Sequence, residues 1–124
     1  LHVEASTVDF KAINSVALGE YSKSIMDRVL ASQVIQQERY KEMGIKYNAH
    51  LRAKDMDRIC VLDDASKSMI KFAFEKMGLS ARAYHRVLKV ARTIADLDTS
   101  EVIRENHIAE AIQYRTLDRK YWNR

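Results

Sequence analysis

The chain has 124 residues, 47% apolar and 31% charged, with a formal net charge of +4, which suffices for one domain with its own core but not for two. That composition excludes a disordered segment, and no apolar run approaches the ~18 residues of a membrane span. The charge is a mild bias toward anionic partners, well short of that of histone-like proteins.

The sequence contains no proline and three glycines, Gly19, Gly44 and Gly78. A Gly-rich phosphate loop is therefore absent from it, and an all-β fold would lack the turn residues it needs. The chain is predicted to be all-α, a helical bundle with a short extended arm at its start. Its one cysteine, Cys60, cannot form an internal disulfide and suits a reducing cytoplasm.

Residues 1–10 (LHVEASTVDF) alternate roughly around Val3, Ala5, Thr7 and Val8 and read as a strand or linker from a preceding domain, with a frayed arm as the alternative. Ser22 is placed to cap a helix over about 23–42, with Ile25, Met26, Val29 and Leu30 facing inward. The same face continues as Gln33, Gln36, Gln37 and Tyr40, so its far end is expected to project toward solvent or a partner, and Gly44 to end the helix. Asn48 reads as the cap of a short turn, and residues 54–60 as a short helix holding Met56, Ile59 and Cys60.

Asp63 is the expected cap of a helix over 64–77 with Met69, Ile70, Ala73, Phe74 and Met77 inward. Gly78-Leu79-Ser80 then makes a tight corner, with Gly78 ending one helix and Ser80 capping the next. Over 81–97 Tyr84, Val87, Leu88, Ala91, Ile94 and Ala95 form a single apolar stripe. Arg82, Arg86, Lys89 and Thr93 lie opposite it, with His85 and Arg92 at the edge. A last helix is predicted over about 105–121, with Ile108, Ala111, Ile112 and Leu117 apolar, although Arg104 is a poor residue to cap it.

No catalytic set assembles from these residues. His2, His50, His85 and His107 have no metal-ligand spacing to another His, Cys or carboxylate. Cys60 reads as a small buried hydrophobe, and the Asp55/Asp57 and Asp63/Asp64 pairs as helix caps and first-turn acids. Arg82 is different: a cation in the first turn of a helix opposes the macrodipole by a few tenths of a kcal/mol unless an anion compensates. A helix N-terminus with an arginine is physically a phosphate clamp; the alternative is a salt bridge to a nearby acid or a side chain reaching into solvent. The Arg82, Arg86, Lys89 face with Arg92 beside it reads as an ordinary solvated helix face or as a surface for nucleic-acid phosphates, and Tyr114, Tyr121 and Trp122 as packing against neighbouring helices or an absent domain, or as stacking on bases.

Residues 79–98 (LSARAYHRVLKVARTIADLD) and 107–119 (HIAEAIQYRTLDR) resemble the C-terminal domain of magnesium chelatase-like AAA+ ATPases, in the bacterial competence-protein (ComM-type) branch. The likeness extends through QQERY (36–40), YNAHL (47–51) and CVLDD (60–64), and so over essentially the whole chain. It implies a helical lid domain over 20–124, with residues 1–19 an arm leaving an ATPase core that lies outside this sequence; the chain also opens on Leu1-His2 without a Met. The Ser80-Ala81-Arg82 motif then implies Arg82 as the sensor-2 arginine that reaches the γ-phosphate of ATP, with Arg86 a second candidate for the nucleotide and Lys89 and Arg92 candidates for nucleic acid.

The resemblance further implies ATP and Mg²⁺ as cofactors of the full-length parent, none held by this chain alone. Its partners would be the AAA+ core, the neighbouring subunits of a ring (a hexamer) and DNA, without a membrane. The parent's implied work is DNA remodelling such as branch migration in natural transformation. Three other readings are the lid of a true magnesium chelatase subunit, a stand-alone helical nucleic-acid-binding module and a structural oligomerisation domain. Where basic residues are expected near positions 26 and 32 the sequence has Met26 and Ser32, leaving Arg28 and Arg39 on that helix.

Overall fold

The structure, a computed structural model, describes residues 1, 3, 5, 7–14 and 19–122, with the backbone alone at residue 12 and from 116 onward. Among the described residues six α-helices follow in order: α1 (Phe10–Ile13), α2 (Ser22–Tyr40), α3 (Met56–Ile59), α4 (Asp64–Met77), α5 (Ala81–Leu97) and α6 (Glu105–Trp122). Two 3-10 turns, Asn48–His50 and Ala53–Asp55, lie between α2 and α3. Among the described residues the one strand-like feature is a parallel bridge between Leu62 and Ile103, tying the entrances of α4 and α6 together. The all-helical bundle is as predicted, and the four long helices fall within two residues of the predicted spans.

α5 is the axis of the bundle. Its stripe buries Val87, Leu88, Ala91 and Ala95 against Tyr40, Leu51, Met56, Cys60, Ile70, Ile103, Ile108 and Ala111. Ser80 caps it, its hydroxyl accepting the Ala83 N–H at 3.2 Å, and Asp63 caps α4 by accepting the Ser66 N–H at 2.8 Å. Gly78 closes α4 in the left-handed region (φ 59°) and donates its N–H to the Phe74 carbonyl. These features match the sequence reading.

α6 is capped by an unexpected device. His107, buried at the third helical position, turns its Nδ1 back to accept the Arg104 N–H at 3.0 Å. This is the part a Glu or Gln plays in a capping box. With Nδ1 accepting, Nε2 carries the proton and donates to Asp98 Oδ2 at 3.0 Å.

Five expectations are corrected. The described residues before Phe10 form no strand, and Phe10–Ile13 close a helical turn instead of an extended arm. α2 begins at Ser22 itself, after Tyr21, with no side-chain cap. Asn48 is not a cap, because its side chain points into the protein. The largest correction is the direction of α2: Ile25, Met26, Val29 and Leu30 are all exposed, whereas Ser32, Gln36 and Tyr40 are buried. The buried half is polar because its groups find partners: Gln36 Oε1 accepts the Asn48 N–H at 2.8 Å, and Tyr40 Oη donates to Asn48 Oδ1 at 2.6 Å. Phe74 also lies at the surface, edge-on to Tyr84 with ring centroids 6.0 Å apart. The side chains of Leu117, Tyr121 and Trp122 lie outside the described residues.

Candidate functional site

The tight corner at residues 78–80 aims the start of α5 outward. Ser80 takes the N–H of Ala83, which leaves the N–H groups of Ala81 and Arg82 without a carbonyl inside the helix. Arg82, the second helical residue, is exposed. Among the described residues no hydrogen bond or ion pair engages its guanidinium. A cation with free donors beside free backbone N–H groups forms an electropositive point, suited to a phosphate oxygen from outside the chain.

Arg82 stands at the rim of a groove of about 510 Å³ floored by Leu51, Ala53 and Met56 and walled by His85, Arg86 and Lys89. Arg86 is exposed, while Lys89 is half-buried and donates from Nζ to the Ala49 carbonyl at 2.9 Å. The structure therefore gathers three of the four singled-out cations, Arg82, Arg86 and Lys89, on one face.

Arg92 is the exception and corrects its placement as a nucleic-acid contact. It is 1% exposed. Its Nε donates to Asp96 Oδ1 at 3.1 Å, and its two terminal nitrogens donate to the carbonyls of Glu101 at 2.7 Å and Ser100 at 2.5 Å. Burial pulls this guanidinium down from its ordinary value, with the Asp96 carboxylate opposing. The reason for its inward position is its partner one turn on: Arg92 and Asp96 face each other at i, i+4.

Asp96 also holds α2. Arg39 donates to its two oxygens at 2.8 and 2.5 Å, and Asn48 Nδ2 donates to Oδ2 at 2.8 Å. The hydrogen bonds to Asp96 raise the Arg39 guanidinium above its ordinary value. Asn48 also bonds to Thr93 Oγ1 at 3.0 Å, and Arg39 reaches Asn48 Oδ1 at 3.2 Å. Sequence reasoning missed this network, although the Arg92–Asp96 spacing was a signal that could have found it.

The remaining candidates are structural. Cys60 is buried with its Sγ 4.0 Å from the Leu88 carbonyl, and burial pushes its thiol up to about 11, so it is a poor nucleophile. Of the other acids, Asp55 pairs with Arg52 at 3.2 Å, and Arg28 on the exposed part of α2 is paired with Glu20. Among the described residues no three His, Cys, Asp or Glu are grouped to hold a metal, and no helix is long and apolar enough to cross a membrane.

The described residues thus make a helical domain whose buried polar network joins α2 to α5 and whose cationic groove lies at the surface. The chain belongs to the family described as magnesium chelatase, subunit ChlI C-terminal, whose model matches residues 19–115. It is 45% identical over 101 residues to the competence protein ComM of Haemophilus influenzae, covering 82% of this chain and 19% of that protein. It is 38% identical over 105 residues to the uncharacterized protein YifB of Escherichia coli, covering 85% of this chain and 20% of that protein. The Salmonella typhimurium YifB is 39% identical over 101 residues, covering 82% and 19%. The chain thus spans about a fifth of the length of these curated relatives and is the C-terminal helical domain of a magnesium chelatase-like protein.

Proposed function

We propose that this domain is the nucleotide-sensing lid of an AAA+ ATPase, with Arg82 as the sensor-2 residue that meets the γ-phosphate of ATP held by the parent's core. One observation carries the reading: Arg82 is exposed at a capped helix start, and nothing described within the domain engages it. ATP supplies the transferable phosphoryl group and Mg²⁺ the neutralising charge. Both belong to the core, since this chain has no Gly-rich loop to cradle a triphosphate. The residues of this chain supply the rest. Gly78 and Ser80 fix the direction in which Arg82 points, Arg86 stands one turn behind it, and the rigid α5 carries any displacement of Arg82 to α2 through Asp96.

The parent, on this reading, is a cytoplasmic ring, a hexamer whose neighbouring subunits feel the movement of the lid. Its task is ATP-driven remodelling of DNA, as in branch migration during natural transformation. The 45% identity to a protein named for competence supports that choice over metal insertion.

The test is ATP turnover by the full-length parent. Arg82→Ala should leave the helical content and melting of the domain unchanged and lower turnover on the order of 100-fold, the effect of losing one charge-stabilising donor. Arg82→Lys should rescue poorly, because a point charge does not reproduce the planar fork. A variant that melts the domain while turnover stays normal would overturn the proposal.

A further inference from the structure

Residues 22–31 of α2 are all exposed, which leaves roughly 15 Å of helix open to solvent. Ile25, Met26, Val29 and Leu30 make an apolar ridge along it, and Val34 extends the row. A contiguous apolar patch of this kind marks a contact surface. Asp27 stands three residues before Leu30 and seven before Val34, on the same side of the helix. No described residue pairs with it. The corner between α4 and α5 carries the counterpart, an open groove of about 430 Å³. Leu62, Ile70, Phe74 and Tyr84 make it apolar, and its charged lining residues are Lys67 and Lys71, with no Asp or Glu. Lys67 is paired with Asp64 at 3.3 Å, whereas no described residue pairs with Lys71. Ridge and groove have no residue in common.

We infer that the chain binds a second copy of itself head to tail, the exposed end of α2 in one copy lying in the α4–α5 groove of the next, with Asp27 against Lys71. Two observations select a second copy as the occupant. One contact between copies covers both apolar surfaces at once, whereas a different partner on either surface leaves the other open. The charges also correspond: from its start α2 offers Lys23 and then Asp27, and α4 offers Asp64 and then Lys67 and Lys71, opposite signs in the same order when the two helices run parallel. A head-to-tail contact is of the kind that closes into a ring. The inference rests on the ring reading above only for where the contact acts, between the lids of neighbouring subunits.

The test is sedimentation velocity of the 124-residue chain. Its sedimentation coefficient should rise between about 10 µM and about 1 mM, the range of a small transient contact. Leu30→Asp should weaken association at least about 10-fold and Lys71→Asp at least about 5-fold. Asp27→Lys combined with Lys71→Asp should return it to within about 3-fold of the unaltered chain, because the swapped pair restores the attraction. Leu30→Asp spoils the ridge and Phe74→Asp the groove, so neither variant should associate with itself. Mixed, the two should pair one to one, since the mixture still holds one whole ridge and one whole groove. Circular dichroism checks that each variant keeps its helices; Lys71→Asp, at an exposed position, replaces Phe74→Asp if that variant does not. A chain that stays monomeric at about 1 mM would overturn the contact, and is the outcome expected if the parent's own core covers either surface. Mixed variants that stay apart, or a swapped pair no stronger than its single variants, would also overturn it. The nucleotide reading fails separately, through normal ATP turnover in Arg82→Ala, because Arg82 belongs to neither surface. If the chain pairs as expected while Leu30→Asp leaves the parent's assembly unchanged, the contact stands and its place in the ring falls.

Discussion

Arg39 on α2 and Asp96 on α5, 57 residues apart in the chain, meet in a two-pronged ion pair at 2.8 and 2.5 Å. Asp96 is fully buried and serves a second guanidinium, Arg92, as well as the Asn48 amide. One carboxylate therefore balances two cations and joins three segments of the chain.

The first prediction follows from that imbalance. Asp96→Ala should cost ~3–5 kcal/mol, because it leaves Arg92 buried without its counter-charge and frees Arg39. Asp96→Asn, which keeps the shape and part of the hydrogen bonding, should cost less. Urea unfolding followed by circular dichroism measures both; a loss under about 1 kcal/mol for the alanine variant would show that the network does not hold α2.

A second contrast separates the core stripe of α5 from the free end of α2. Leu88→Ala should cost ~2–5 kcal/mol, since Leu88 is 2% exposed at the centre of the stripe. Met26→Gln, at a residue 56% exposed, should change stability by less than about 0.5 kcal/mol. Similar losses for the two would mean that the free end of α2 packs on the domain after all.

Acid should act through Asp63. Its hydrogen bonds to Ser66 hold the carboxyl below its ordinary value. In acid the unfolded chain then takes up the proton before the folded one. The stabilisation is complete above the unfolded value of about 3.9 and disappears as pH falls through the lower folded value. Asp63→Asn keeps a capping oxygen without the titration. Its stability should fall less steeply than that of the parent sequence below about pH 4, as read from melting temperature against pH.

Thr99 offers a gain. It is the one non-glycine residue among those described with positive φ, at 52°, where α5 gives way to the loop before α6. A β-branched residue is strained there, and glycine is the usual choice. Thr99→Gly should raise stability by ~0.5–1 kcal/mol and the melting temperature by about 2–5 °C in a scanning calorimeter. A lower melting temperature would mean that the threonine side chain contributes something the glycine cannot replace.

The long helices were legible in the sequence because α4 and α5 carry local signals that agree: Asp63 and Ser80 as caps, Gly78 as a stop, Leu88 and Ala91 on a regular stripe. Arg82 was legible as a candidate for a physical reason, a cation placed against a helix dipole. α2 was misread because apolar spacing says which residues share a face and not whether anything packs on it. Its packed half is held by Gln36, Tyr40 and Arg39, and their burial depends on Asn48 and Asp96, partners far along the chain. Arg92 was assigned to the surface by residue type, and only its neighbour at i+4 argued otherwise.

The half-docked state of α2 gives one continuous helix two different lifetimes. Residues 26–31 are exposed, so their amide protons should exchange by fraying, within a small opening free energy. Those of residues 36–40 exchange only when Arg39 lets go of Asp96 and Asn48 leaves Gln36. Hydrogen exchange along α2 should therefore rise in protection from its start to its end, a gradient within a single helix rather than a difference between helices. A partner bound to the exposed end would erase the gradient, making α2 a built-in reporter of when the domain is engaged.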